Sequence, residues 1–148
     1  MSKNGPKFCL IVAILSIVAG LLVSACVPAK PKTFTIGVVN TVASLNPLVE
    51  GFKSSMVKFG YVEGENVTYL YEGPVSRDQV ETVVQGLVAS RVNLILSVTT
   101  PAVLVTKEAT AESDLPVVFA VVINPVGAGI VASAERPGGN MTGVESSL

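Results

Sequence analysis

The stretch "NPVGAGIVAS" (residues 124–133) reads G-x-G-x-x-A after an apolar run. That is the outline of a loop that lays a dinucleotide pyrophosphate on a helix N-terminus. A fingerprint of that kind follows the first strand of a sheet, and an acid about 20 residues on completes it. Here it follows the fourth apolar run, Asn124-Pro125 separates the run from the first glycine, and Glu145 lies too near the next strand's start. Gly127 and Gly129 read better as letting a short helix approach the sheet edge closely. Nucleophilic chemistry is no better supplied. Ser97, Thr99 and Thr100 carry hydroxyls, but the chain has no histidine to activate one and no G-x-S-x-G turn to present one. What remains is a set of amides and hydroxyls: Asn40, Ser44 and Asn46 in one loop, Thr99 and Thr100 in a second, Asn124 in a third. Such groups, with the backbone N–H groups of helix starts, hold a polar ligand by hydrogen bonds. Residue by residue, a local role stays open, since Thr100 and Asn124 can simply cap helices. With "EGPVSRD" (72–78) after the second apolar run, four neighbouring loops are polar in this way, and together they point to a ligand.

Those loops take their position from alternating periodicities. "TFTIGVV" (33–39), "NVTYLYE" (66–72), "VNLILSV" (92–98) and "LPVVFAVV" (115–122) are short, apolar and rich in β-branched residues, so each reads as a strand, and "MTGV" reads as a fifth. Between them lie helical patterns. Asn46 and Pro47 open one that Gly60 closes, with Leu48, Phe52, Met56 and Phe59 on one face. Ser76 or Asp78 opens a second, with Val80, Val83, Val84, Leu87 and Val88 as its stripe. Thr100 as cap and Pro101 in the first turn open a third. A further short helix is expected in "INPVGAGIVASAE", before the turn "RPGGN". The order predicts an α/β fold, an open, mostly parallel sheet with helices on both faces. Ligands of such sheets sit beyond the carboxyl ends of the strands, where these polar loops fall. Only Glu72, Arg77 and Asp78 are ionisable near that rim, and no pair of carboxylates converges there.

The first 26 residues have a different purpose. Lys3 and Lys7 precede an apolar run from Phe8 to Val23, the pattern of a secretion leader. A membrane span needs about 20 apolar residues, and Phe8 to Val27 just reaches that. "LVSAC" favours the leader, because it resembles the bacterial lipobox, in which small residues precede a lipid-accepting cysteine, here Cys26. Residues 1–25 are therefore expected to be a lipoprotein signal peptide and 26–32 a proline-containing tether. Residues 33–148 form the folded part. The chain has only two cysteines, Cys9 and Cys26. Cys9 leaves with the leader and Cys26 carries the lipid, so neither a disulfide framework nor a Cys/His metal site is expected. A formal net charge of −1 over 148 residues, with no basic stripe, makes nucleic acid a poor partner.

Three longer segments carry a family resemblance. "LPVVFAVVINPVGAGIVASAERPGGNMTGV" (115–144) resembles the ABC transporter substrate-binding family whose characterised members take up tryptophan or tyrosine. The family pattern there is "PIVF…DPVGAGLV…PGGNVTGV". "FKSSMVKFGYVEGENVTYLY" (52–71) and "LVASRVNLILSVTTPAVLVTKEAT" (87–110) are similar to two further stretches of that family, in the same order. The resemblance implies a type I periplasmic-binding-protein lobe, Rossmann- or flavodoxin-like. It implies a non-enzymatic lipoprotein held on the extracytoplasmic side of the cell membrane. A small polar ligand, an amino acid foremost, would be handed to an ABC permease, with no cofactor and no metal. The family's ligand loops fall on Asn40, Ser44 and Asn46, on Thr99, Thr100, Pro101 and Ala102, and on Asn124 and Pro125. Asn124 stands where the family usually has Asp, which removes a negative charge able to pair with an amino group. The first loop, "NTVASLNPLVE", lacks the expected acids. The resemblance also implies a two-lobed protein, of which this chain is expected to be the N-terminal lobe, with the second absent. The rival readings are a secreted α/β hydrolase, a binding module of a sensor system and a non-functional remnant.

Overall fold

The computed structural model describes residues 32–146. The expected leader, the lipobox with Cys26 and the tether up to Pro31 lie outside the described residues. Five strands form one sheet: β1 (Phe34–Asn40), β2 (Val67–Leu70), β3 (Leu94–Val98), β4 (Val117–Val122) and β5 (Met141–Glu145). Their order is β2-β1-β3-β4-β5, and every neighbouring pair is parallel. Three helices connect them, α1 (Asn46–Lys58), α2 (Val80–Ala89) and α3 (Thr100–Thr110).

The continuous apolar runs are explained by burial on both faces, as a parallel sheet demands. Successive residues alternate sides. On one face Ile36, Val38, Tyr69, Leu96 and Val98 pack with Val49, Phe52 and Met56 of α1. On the other Val39, Ile95, Val117 and Phe119 pack with Val80, Val84 and Leu87 of α2 and with Ala102 and Val103 of α3. The expected α2 stripe holds: Val83 and Val88 flank its three buried residues. Gly37 is needed where β1 passes under α2, because a Cβ there would press on the Leu87 side chain at 2.7 Å.

Two expectations are corrected. Phe59 does not share the inward face of α1; it caps the helix and is 78% exposed. The chain reverses at Gly60 (φ 85°), and the Tyr61 N–H donates to the Met56 carbonyl at 3.0 Å. This is a Schellman-type ending, which turns the cap residue outward and the residue after the glycine inward. The second correction concerns residues 123–137, which form turns with no helix. Asn124 opens only a single turn here. Its side-chain Oδ1 accepts the Gly127 N–H at 2.8 Å and its carbonyl accepts the Ala128 N–H at 2.9 Å. That is the bonding of a helix N-cap, but the turn it opens ends at once at Gly129 (φ 67°), where the Ile130 N–H donates to the Pro125 carbonyl at 2.8 Å. A Cβ at Gly127 would collide with that side chain. The glycine of the G-x-G-x-x-A pattern thus serves a turn. Ile130 and Val131 then fold back into the core, and Lys107 of α3 donates to the Gly129 carbonyl.

Candidate functional site

In the order β2-β1-β3-β4-β5, the connections leave β1 and β3 in opposite directions. The crevice between the carboxyl ends of these two strands is the topological switch point, where ligands of open α/β sheets bind. α1 follows β1 on one face and α3 follows β3 on the other.

The β1 side of the crevice is built on Asn40, which is fully buried. Its Oδ1 accepts the Val42 N–H at 3.0 Å, closing a tight turn. Its Nδ2 donates to the Val42 carbonyl (3.0 Å), to Asn46 Oδ1 (3.1 Å) and to the Tyr71 hydroxyl (3.3 Å). Tyr71 donates to Asn46 Oδ1 at 2.6 Å. Asn46, the expected cap, is the first residue of α1, after the cap residue Leu45. Its amide instead joins the ends of β1 and β2. The three groups hold the loop 41–45, whose Ser44 is exposed in the 3-10 turn Ala43–Leu45.

On the β3 side, Thr99 is the cap residue of α3, one position before the expected Thr100, and its carbonyl accepts the Val103 N–H at 3.0 Å. Its φ of 85° and ψ of 143° lie in a region that a β-branched residue avoids. Strain of this kind costs about 1–3 kcal/mol and collects at functional sites. Two more non-glycine residues at the same end have positive φ, Val121 (57°), at the irregularity in β4, and Asn124 (48°). The Thr99 hydroxyl meets the Thr41 hydroxyl across the crevice at 2.8 Å. Thr100 is half-buried and Pro101 exposed at the start of α3, while Ala102 is buried in the core.

The sequence-predicted residues therefore separate. Thr99 and Thr100 border the switch point, and Ser44, Pro101 and Asn124 are exposed at the rim. Asn40, Ala102 and Pro125 are buried, so their side chains support the loops from within. The Asn124 backbone N–H donates to Glu145 at 3.2 Å. Thr41 and Tyr71 are participants that the sequence reading did not single out. Their only signals were Thr41's position after the last β1 residue and the Tyr69–Tyr71 alternation in "YLY".

The electrostatics are quiet. Asp78, fully exposed at the turn before α2, is held below the ordinary carboxyl range, first by its hydrogen bond with Ser76 and then by its own backbone N–H. Tyr69 is pushed above the ordinary phenol value, chiefly by burial and secondly by the Glu63 charge. Among the described residues no three His, Cys, Asp or Glu side chains cluster to hold a metal ion. No described helix is long and apolar enough to cross a membrane.

Comparisons with known proteins agree with this geometry. A family model described as ABC transporter substrate binding protein matches residues 34–148. A tyrosine-binding protein of Clostridioides difficile is 28% identical over 120 residues, covering 80% of this chain and 34% of its own length. An ABC domain from Streptococcus pneumonia, solved with L-Trp, is 31% identical with a TM-score of 0.67, covering 77% of this chain and 39% of that one. A ligand-free, open substrate-binding protein with adhesive properties from Clostridium difficile shares the fold, with a TM-score of 0.69 at 24% identity, covering 79% of this chain and 39% of that one. The chain spans little more than a third of the length of these relatives.

Proposed function

This chain belongs to the ABC transporter substrate-binding protein family, a family of binding proteins rather than enzymes, and on that premise we propose that it is the ligand-binding N-terminal lobe of an extracytoplasmic amino-acid receptor. Residues 1–25 are its leader, 26–32 its tether and 33–148 the lobe. Cys26 carries the lipid, and the receptor delivers its ligand to an ABC permease. The observation that carries the ligand site is the Thr41–Thr99 hydroxyl pair at the switch point, beside the start of α3. The N–H groups of Thr100 and Ala102 have no acceptor within the helix and favour an anion such as an amino-acid carboxylate. Ser44, Pro101 and Asn124 supply the exposed rim. An aromatic amino acid is the ligand class favoured by the tyrosine-binding and L-Trp-bound relatives.

One lobe by itself leaves these contacts open to solvent. Each hydrogen bond is then worth about 0.5–1.5 kcal/mol net, against an association cost of at least about 4 kcal/mol. A few such bonds give a dissociation constant near millimolar or weaker. The test is amide chemical-shift mapping of the folded chain during titration with L-tryptophan and L-tyrosine, since that method detects millimolar binding. Shifts confined to residues 41–46, 99–102 and 124–125 are expected. Shifts centred elsewhere, or none at saturating amino acid, would overturn the assignment.

A further inference from the structure

We infer that the end of the lobe opposite the ligand crevice is a membrane-contact face, with Phe59 as its apolar tip and the bilayer interface as its occupant. The inference rests on the lipid at Cys26 proposed above. α1 runs back against β1, so its last turn lies at the end of the sheet where the strands begin. The contacts make this concrete. The Lys32 ammonium sits 5.2 Å from the Phe34 ring centre, and Phe34 meets Tyr61 edge to face at 5.6 Å. The point where the tether enters and the turn Phe59–Tyr61 are therefore neighbours. That turn holds Phe59 outward, 78% exposed, and the preceding turn of the helix holds Val57 outward at 51%. Phe59 is the most exposed large apolar side chain among the described residues. Its position is imposed by the Gly60 reversal and the Tyr61–Met56 hydrogen bond, so an aromatic ring is held outward, away from the core of the described residues.

The length of the tether selects the occupant. Five residues separate Cys26 from Lys32, and the six steps between them, even fully extended, reach only about 20 Å. A lipid on Cys26 would hold this end of the lobe within a short distance of the headgroups for the life of the protein. Lys58 is exposed beside Phe59, and Lys32 is exposed where the described chain begins. Of the acids that follow, Glu63 pairs with Lys53 at 3.4 Å. An aromatic ring flanked by lysines suits the boundary between acyl chains and anionic headgroups. One ring binds weakly alone. The tether makes the contact intramolecular and raises its effective concentration. The crevice, at the far end of the strands, then points away from the surface.

The chain suits a direct test, because it contains no tryptophan and the form beginning at Cys26 has a single thiol. Phe59→Trp is coupled through Cys26 to maleimide-lipid vesicles of phosphatidylcholine and phosphatidylglycerol with brominated acyl chains. Val144→Trp, at the opposite end of the strands and 69% exposed, is the comparison. The expected result is a blue shift of the indole emission in Phe59→Trp and at least about twofold stronger quenching than in Val144→Trp, both lost when coupling is omitted. Equal quenching in the two variants would overturn the proposal. So would a blue shift in Phe59→Trp that grows with protein density on non-brominated vesicles without quenching on brominated ones, because a second copy would then be the occupant. Coupling supplies the anchor chemically, so failure here leaves the lipidation of Cys26 standing. That lipidation is read separately by fatty-acid labelling.

Discussion

Thr99 permits a sharp test of the crevice, because two small substitutions there separate strain from hydrogen bonding. Thr99→Ala removes the hydroxyl and its 2.8 Å contact with Thr41, a loss of about 0.5–1.5 kcal/mol. It keeps a Cβ at φ 85°, so the strain stays. Thr99→Gly loses the same bond but also releases the strain, worth about 1–3 kcal/mol. Against this, glycine costs about 0.5–1 kcal/mol relative to alanine in added freedom of the unfolded chain. The difference leaves the glycine variant more stable than the alanine variant by about 1 kcal/mol at the centre of these ranges, or several degrees in Tm. This reverses the usual order of alanine and glycine. Thermal and urea unfolding of the two proteins measure it, and Thr41→Val, which removes the bond from the other side, should resemble Thr99→Ala. An alanine variant as stable as the glycine variant, or more so, would refute the reading of Thr99 as strained. If the strain serves the ligand, the glycine variant should also show smaller amide shifts on titration with L-tryptophan, giving up function as it gains stability.

Cys26→Ser should abolish metabolic labelling by fatty acid in cells; labelling that persists would count against the lipobox. Tyr69→Phe should leave stability at neutral pH unchanged or raise it, within about 1 kcal/mol, because the buried Tyr69 hydroxyl has no hydrogen-bond partner among the described residues. The same variant carries a pH signature. The folded state raises the Tyr69 pKa, so it binds this proton more tightly than the unfolded chain does. Stability is then unaffected below the unfolded value of about 10 and falls as pH rises from there through the folded value. Urea denaturation across that alkaline range should show a shallower decline for Tyr69→Phe than for the parent, and parallel curves would contradict the burial of the phenol.

Local sequence determined which segments are strands and helices, because their periods of two and about 3.6 residues are properties of neighbouring side chains. Val80, Val84 and Leu87 marked the inward face of α2, and the apolar run at 92–98 announced a strand buried on both sides, which forms over Leu94–Val98. The lack of histidine and of a nucleophile turn disfavours hydrolysis, and the three matched segments indicate the family, from the sequence alone. The choices that make the crevice were not legible in this way. Thr41 and Thr99 are 58 residues apart, and Asn40 and Tyr71 are 31 apart; no periodicity connects them. They meet because β1 lies between β2 and β3, a matter of which strands pair, decided by the burial of both faces at once. The same limit explains why Phe59 and residues 123–137 depart from the helical pattern. Phe59 fits the helical spacing of α1 but lies just beyond its last turn, where the glycine reversal decides its direction. Residues 125–129 look helical by composition, and Asn124 bonds them as a helix cap would, but Gly129 in the left-handed region ends the turn before a second can form. Periodicity averages over many side chains, whereas the placement of one cap, one turn or one hydroxyl pair depends on the particular atoms that tertiary packing brings within about 3 Å of it.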